Sequence, residues 1–174
     1  MLDPFDTLGI APTFEIDIDA IEKRYRDLSR VLHPDKHVGA SPTERRMSLG
    51  KAVEVNEAWR LVRDPIRRAE ALLRRHGIDV KEGAEPKADP EFLMEMMEQR
   101  EALSEAKAKH DPASVQTLAA RIRAKESDVL GRLARGFART RVEGEDLDWL
   151  VPLVGELRYY RRFLDEVSSI EESS

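Results

Sequence analysis

His33, Pro34 and Asp35 stand in a row, with Lys36 behind them. Proline gives such a segment a fixed turn, so an imidazole and a carboxylate are presented outward where a helix stops. An aspartate so placed suits a charge-assisted hydrogen bond to an arginine of another molecule. Taken alone, the tripeptide could equally be a loop that does no more than break a helix. Other chemistry finds little support. His33, Asp35 and His37 could be imagined around a metal, but Pro34 scatters them along a loop and no fourth ligand is in view, so no metal site is expected. Gly50-Lys51 lacks the glycine five residues earlier that a phosphate-binding loop needs, since Arg45 stands there. No Ser/His/Asp set has a motif around it, and no cofactor is expected. With no cysteine, disulfides, thiolate zinc sites and cysteine nucleophiles are excluded.

The elements that must position this tripeptide are helices. The chain has 174 residues, 36% of them charged, with 9 glycines and few β-branched runs, a composition that favours helix. It carries 29 Lys+Arg against 34 Asp+Glu, a net charge of −5. Residues 1–80 are balanced at 14 basic and 14 acidic side chains, so the whole excess lies in 81–174. No apolar run has the length of a membrane span, and the first residues lack both the basic and the apolar parts of a signal peptide. These features lead us to expect an intracellular, cytoplasmic, all-α protein. The stretch from Val80 to Pro90 has two prolines, a glycine and few apolar residues, and reads as a linker. We therefore expect units at 1–80 and 91–174, joined by 81–90.

In the first unit, Ile18, Ile21, Tyr25, Leu28 and Leu32 recur at helical spacing and predict a helix over 17–32, with Lys23, Arg26 and Arg30 together on another face. Pro34 should stop it, because the residue before proline is pushed out of the α region. Ser41-Pro42-Thr43-Glu44 reads as a capping box opening a helix to about Arg63, with Ala52, Val55, Trp59 and Val62 as its buried stripe. Asp64-Pro65 opens another, ended by Gly77, and Pro4 to Leu8 is a short helical turn. The second unit starts two helices with the same Asp-Pro device, at Asp89-Pro90 and Asp111-Pro112. A third is expected over about 146–167, with Leu150, Val154, Leu157 and Leu164 on one face and Pro152 in its first turn or at a bend. Three amphipathic helices with short connections predict a three-helix bundle.

Phe5, Leu8-Gly9-Ile10, Tyr25-Arg26-Asp27-Leu28, His33-Pro34-Asp35-Lys36, Asn56-Glu57-Ala58-Trp59, Leu61 and Asp64-Pro65 occur in this order, and the segment resembles a J-domain: a helical hairpin with flanking short helices. That resemblance implies a partner rather than a substrate, a DnaK-class ATPase chaperone on which the domain docks and whose ATP hydrolysis it accelerates. It implies that His33, Pro34 and Asp35 form the essential loop, with Lys36 after it, and that Lys23, Arg24, Arg26 and Arg30 supply a basic docking surface.

Behind the J-domain-like unit there is neither a Gly/Phe-rich segment nor a cysteine-bearing region. Arg67-Arg68-Ala69-Glu70-Ala71-Leu72-Leu73 with His76-Gly77, and Phe92-Leu93-Met94-Glu95 through Arg100-Glu101 and Leu103, resemble instead the HscB family, the small J-type co-chaperones of iron–sulfur cluster assembly. The resemblance implies an HscA-type ATPase and an IscU-type cluster scaffold protein as partners. The scaffold surface it implies is Leu93, Met94, Met97, Glu98, Glu101 and Glu105, with Tyr159 on the last helix. Spacing agrees, since 94, 97, 98, 101 and 105 fall along one side of a helix, leaving Phe92, Met96 and Leu103 for the buried side. Met97 stands where Leu would be usual and Tyr159 where Phe would be; the lack of a cysteine metal module resembles the bacterial type. Two other readings remain at this point: a J-domain co-chaperone serving a different client, and a nucleic-acid-binding helical protein using Arg121, Arg123, Arg132, Arg135, Arg139 and Arg141. The acidic net charge and the interspersed acids oppose the latter.

Overall fold

The computed structural model describes residues 3–37, 39, 41–80, 89–139 and 146–172. Residues 81–88 of the expected linker, the position of Arg141 and the last two residues lie outside these. The described residues form helices joined by short irregular segments, with no strand among them, in two compact units, Met1–Gly77 and Ile78–Ser174.

The first unit holds α1 (Pro4–Leu8), α2 (Ile18–Val31), a 3-10 turn at Pro34–His37, α3 (Pro42–Arg63) and α4 (Pro65–Arg75). Each start is set locally. Asp3, Asp17 and Asp64 accept backbone N–H bonds at the N-termini of α1, α2 and α4, and Ser41 and Glu44 close a reciprocal capping box on α3. Gly9 ends α1 at φ 62 and Gly77 follows α4 at φ 82, both left-handed positions that glycine takes without strain. Phe5 and Leu8 of α1, Ile21 of α2, Val55, Trp59 and Val62 of α3, and Leu72 and Leu73 of α4 make the core. Ala58 is buried and Ala52 only half-buried, which differs from the expected stripe. The cause is α1: it packs on α3 alongside α2 and widens the covered side.

The second unit is the expected three-helix bundle: α5 (Pro90–Ala108), α6 (Pro112–Arg139) and α7 (Val151–Glu172), with a 3-10 turn at Asp148–Leu150 leading into α7. Pro152 lies in the first turn of α7, where its missing N–H costs nothing. Leu150, Val154 and Leu157 are buried as expected, but Phe163 and not Leu164 continues the stripe. Because α7 touches both α5 and α6, its covered side is broad and runs on through Tyr160, Val167 and Ile170. Phe92 and Phe137 are half-buried at the margins of the bundle.

Two glycines separate a packing role from simple tolerance. A Cβ at Gly136 of α6 would lie 2.6 Å from a Leu150 methyl and 2.9 Å from the Trp149 ring, whereas one at Gly155 of α7 would meet nothing within 4 Å. Gly136→Ala should therefore cost about 1–3 kcal/mol of stability through overpacking. Gly155→Ala should add up to about 1 kcal/mol through helix propensity. Urea unfolding of the two variants checks this, and equal effects would contradict the packing.

Candidate partner-binding surfaces

The tripeptide sits at the tip of an antiparallel hairpin. Tyr25 stacks on Trp59 with ring centroids 5.3 Å apart and donates its hydroxyl to Asn56 Oδ1 at 3.0 Å. At the other end, the Ser48 hydroxyl of α3 donates to the Leu32 carbonyl at 3.2 Å, which satisfies an orphan acceptor where α2 stops. Leu32 caps α2 at this second tie, and beyond it Pro34 opens the 3-10 turn. The Lys36 N–H donates to the His33 carbonyl at 2.9 Å and the Asp35 N–H to His33 Nδ1 at 3.3 Å. With Nδ1 accepting, the neutral ring carries its proton on Nε2. The His33 and Asp35 side chains are 58% and 87% exposed, 3.5 Å apart at their nearest atoms. The turn is therefore tightly bonded through its backbone, while its functional groups face water.

The cations expected on α2 are not all alike. Lys23, Arg26 and Arg30 are exposed, as is Lys36 beyond them. Arg26 pairs with Glu22 at 2.6 Å and Arg30 with Asp27 at 3.4 Å. Arg24 is exposed too, but its Nε donates to the Leu8 carbonyl at the C-terminal end of α1. A Cβ on Gly9 would collide with that guanidinium. Arg75 grips the other end of α1 through Asp3 at 2.5 Å and Asp6 at 3.4 Å. Burial is the largest single influence on its guanidinium and acts to lower the pKa, but the hydrogen bonds and charges of Asp3 and Asp6 together outweigh it and hold the group above its ordinary value.

On the bundle, α5 is apolar on two sides. Met96 and Leu103 are buried, whereas Met94 and Met97 are 64% and 72% exposed. Leu93 is half-buried between the two sides, and Glu98, Glu101 and Glu105 continue the outer stripe, all exposed. Glu105 pairs with Lys109 at 3.0 Å; no ion pair to Glu98 or Glu101 is found among the described residues. From residue 93 to 105 this stripe runs for about 18 Å along the helix. Phe92 brings α7 to its N-terminal end, meeting Tyr159 and Tyr160 edge-on at 5.5 and 5.7 Å. The Arg162 guanidinium lies 4.6 Å over the Tyr159 ring, a cation–π contact. The structure thus brings Tyr159 to the start of the Leu93–Met97 patch and leaves Glu105 at the far end. Sequence reasoning missed Ser48, Phe92 as the bridge between α5 and α7, and Arg162; nothing in helical spacing marks them. Of the arginines considered for nucleic acid, five lie on α6 and Arg141 lies outside the described residues; Arg121 hydrogen-bonds Gln99 at 3.4 Å and Arg132 approaches Glu156 at 4.0 Å.

Beneath Phe92, a cleft of about 490 Å³ is lined by Glu95, Lys125, Asp128, Arg132, Glu156 and Tyr160 among others. Burial pushes the Tyr160 phenol up to about 12, helped by the Glu156 and Glu95 carboxylates. Burial also raises Glu156, and Asp128 and Asp89 add to this, against the pull of Arg132 and Lys125.

A hairpin that presents His-Pro-Asp at its tip, beside a helix carrying exposed cations, defines a J-domain protein. Residues 3–71 match the model of the DnaJ domain, and residues 88–168 match that of the HSCB C-terminal oligomerisation domain. Over 165 residues the chain is 35% identical to a co-chaperone protein HscB homolog of Neisseria meningitidis serogroup C, covering 95% of this chain and 96% of the relative. It is 31% identical over 170 residues to one from Shewanella loihica, 97% of each. Among solved structures, chaperone HscB from Vibrio cholerae superposes with a TM-score of 0.85 at 29% identity over 99% of both chains. Human co-chaperone HscB does so with a TM-score of 0.87 at 25% identity, over 98% of this chain and 83% of the other. The chain belongs to the HscB co-chaperone family. Members of that family are co-chaperones and not themselves enzymes, and no described helix is long and apolar enough to cross a membrane.

The raised Glu156 carboxyl has a measurable consequence. The folded chain holds this proton more tightly than the unfolded one. Glu156 therefore favours the fold at low pH and works against it as pH rises through the raised value. Glu156→Gln should melt higher than wild type at neutral pH, because Arg132, 45% exposed and no nearer than 4.0 Å, gives back little of the cost of burying the charge. The advantage should vanish in acid, where the carboxyl is protonated in both states; a variant less stable at neutral pH would contradict it.

Proposed function

We propose that this chain couples an iron–sulfur cluster scaffold protein of the IscU type to a DnaK-class, HscA-type ATPase, in the cytoplasm of a bacterial cell. The observation that carries the reading is the coexistence in one chain of an exposed His33-Pro34-Asp35 turn and an unburied Leu93/Met94/Met97 patch rimmed by glutamates. The ATPase docks on Lys23, Arg26, Arg30 and Lys36 and receives the His33 and Asp35 side chains, which need no rearrangement to reach it. Asp35 is the acceptor for a cation of the ATPase. Arg24 stands at the edge of this surface and contributes by holding α1 in place. The scaffold covers Leu93, Met94, Met97 and Tyr159 and meets Glu98, Glu101 and Glu105 with basic groups, an apolar centre within a charged rim. Hydrolysis is triggered in the ATPase, and no step of it occurs on this chain.

The two surfaces are separable by mutation. Leu93→Ala/Met97→Ala should weaken scaffold binding, measured by calorimetry, by roughly 2–4 kcal/mol, about 30-fold or more in Kd, and leave ATPase stimulation in the absence of scaffold unchanged. His33→Gln should abolish stimulation and leave the scaffold Kd unaltered. Loss of both activities in either variant, with helicity intact, would overturn the assignment of the two surfaces. Wild-type stimulation without scaffold binding would point to a different client.

A further inference from the structure

The outer side of α2 is not uniformly basic. Between Ile18 and Val31 the helix carries Lys23, Arg24, Arg26 and Arg30 against Asp19, Glu22 and Asp27. Arg24 donates to the Leu8 carbonyl, which fixes its position but keeps its charge, so the helix carries four cations against three acids. Two of those cations are matched already, Arg26 by Glu22 at 2.6 Å and Arg30 by Asp27 at 3.4 Å. These pairs lie in water, with the arginines 68% and 72% exposed and the acids 40% and 58%. Exposed pairs on one helix are weak, so they add little to the fold. Their effect falls on whatever docks there. A partner carboxylate that reaches for Arg26 or Arg30 meets a second carboxylate within a few ångströms, and like charges set together across an interface are penalised. A partner that offers a base beside its acid satisfies both members of each pair. A helix whose acids offset all but one of its cations also loses most of its long-range attraction to an acidic surface.

Resting on the docking face proposed above, we infer that Glu22 and Asp27 are specificity residues. They select a DnaK-class ATPase whose docking surface alternates acidic and basic groups, and they discriminate against one that is acidic throughout. Specificity obtained by an added repulsion, and not by a stronger attraction, is a general device of partner choice.

The test uses the full chain and two purified DnaK-class ATPases, one with a uniformly acidic docking surface and one with a mixed surface. Steady-state ATP hydrolysis is followed as wild type, Glu22→Gln/Asp27→Asn or His33→Gln is titrated in. The two neutralising changes are close to isosteric, and circular dichroism verifies that helicity is kept. With the acidic-surface ATPase the double variant should reach half-maximal stimulation at a concentration about fivefold lower than wild type. With the mixed-surface ATPase it should be unchanged or weaker. The gain should fade as added salt shortens the screening length. Equal shifts for both ATPases, or none for either, overturn the inference while wild-type stimulation that is lost in His33→Gln keeps the docking face. If wild type stimulates neither ATPase, the docking face fails and the inference fails with it.

Discussion

The end of α2 is the constraint on which the first unit depends. Pro34 forbids His33 the helical conformation, so the chain must leave the helix there, and the Ser48 hydroxyl takes up the Leu32 carbonyl that this leaves exposed. A helix stopped elsewhere would carry the imidazole onto its side, among the cations, instead of holding it beyond the last turn. The Tyr25–Trp59 stack and the Tyr25–Asn56 hydrogen bond fix the register of the hairpin at its other end. The two helices that carry the tip are thereby tied at both ends of the hairpin, and α1, gripped by Arg24 and Arg75, packs on α3 as well. The proposed contacts to the ATPase are side chains that this framework leaves in water.

The bundle meets the opposite requirement. The surface proposed to meet the scaffold is apolar yet exposed, since α5 turns methionines outward on a helix whose other side is already covered. Methionine suits such a place, because its unbranched side chain adapts to a partner's contour. In the proposed interface, the glutamates that follow along the helix bound the patch and suit a partner with basic groups. Beneath it, the Phe92 contacts to Tyr159 and Tyr160 and the Lys125–Glu95 ion pair at 2.7 Å tie α5 to its neighbours, so the patch is carried on a braced helix.

Much of this was legible in the sequence where local chemistry decides. The Asp-Pro starts at 64, 89 and 111, the Ser41/Glu44 capping box, the break at Pro34 and the Gly77 end of α4 are short-range devices, and each helix lies where they put it. The buried faces were legible only as far as one period describes them. Phe163 replaces Leu164, and Ala58 is covered more fully than Ala52, because α7 and α3 each pack against two neighbours and a single stripe is too narrow a template. Charge was the least legible. Arg24 reads as one more cation on a basic helix, and its commitment to the Leu8 carbonyl depends on how α1 folds back, which no spacing records. The exposed Met94 and Met97 were anticipated on the outer side of α5 through family resemblance, since composition alone would have placed them in a core.

The central claim is that one chain joins the scaffold to the ATPase and that the two bindings act together. The most direct measurement is ATP turnover by the DnaK-class ATPase with scaffold protein titrated at a fixed concentration of this chain. The account predicts that scaffold and chain together accelerate turnover beyond the product of their separate effects, with half of the gain reached near the scaffold's Kd for the chain. Effects that merely multiply, or a scaffold that slows the stimulated rate, would contradict it.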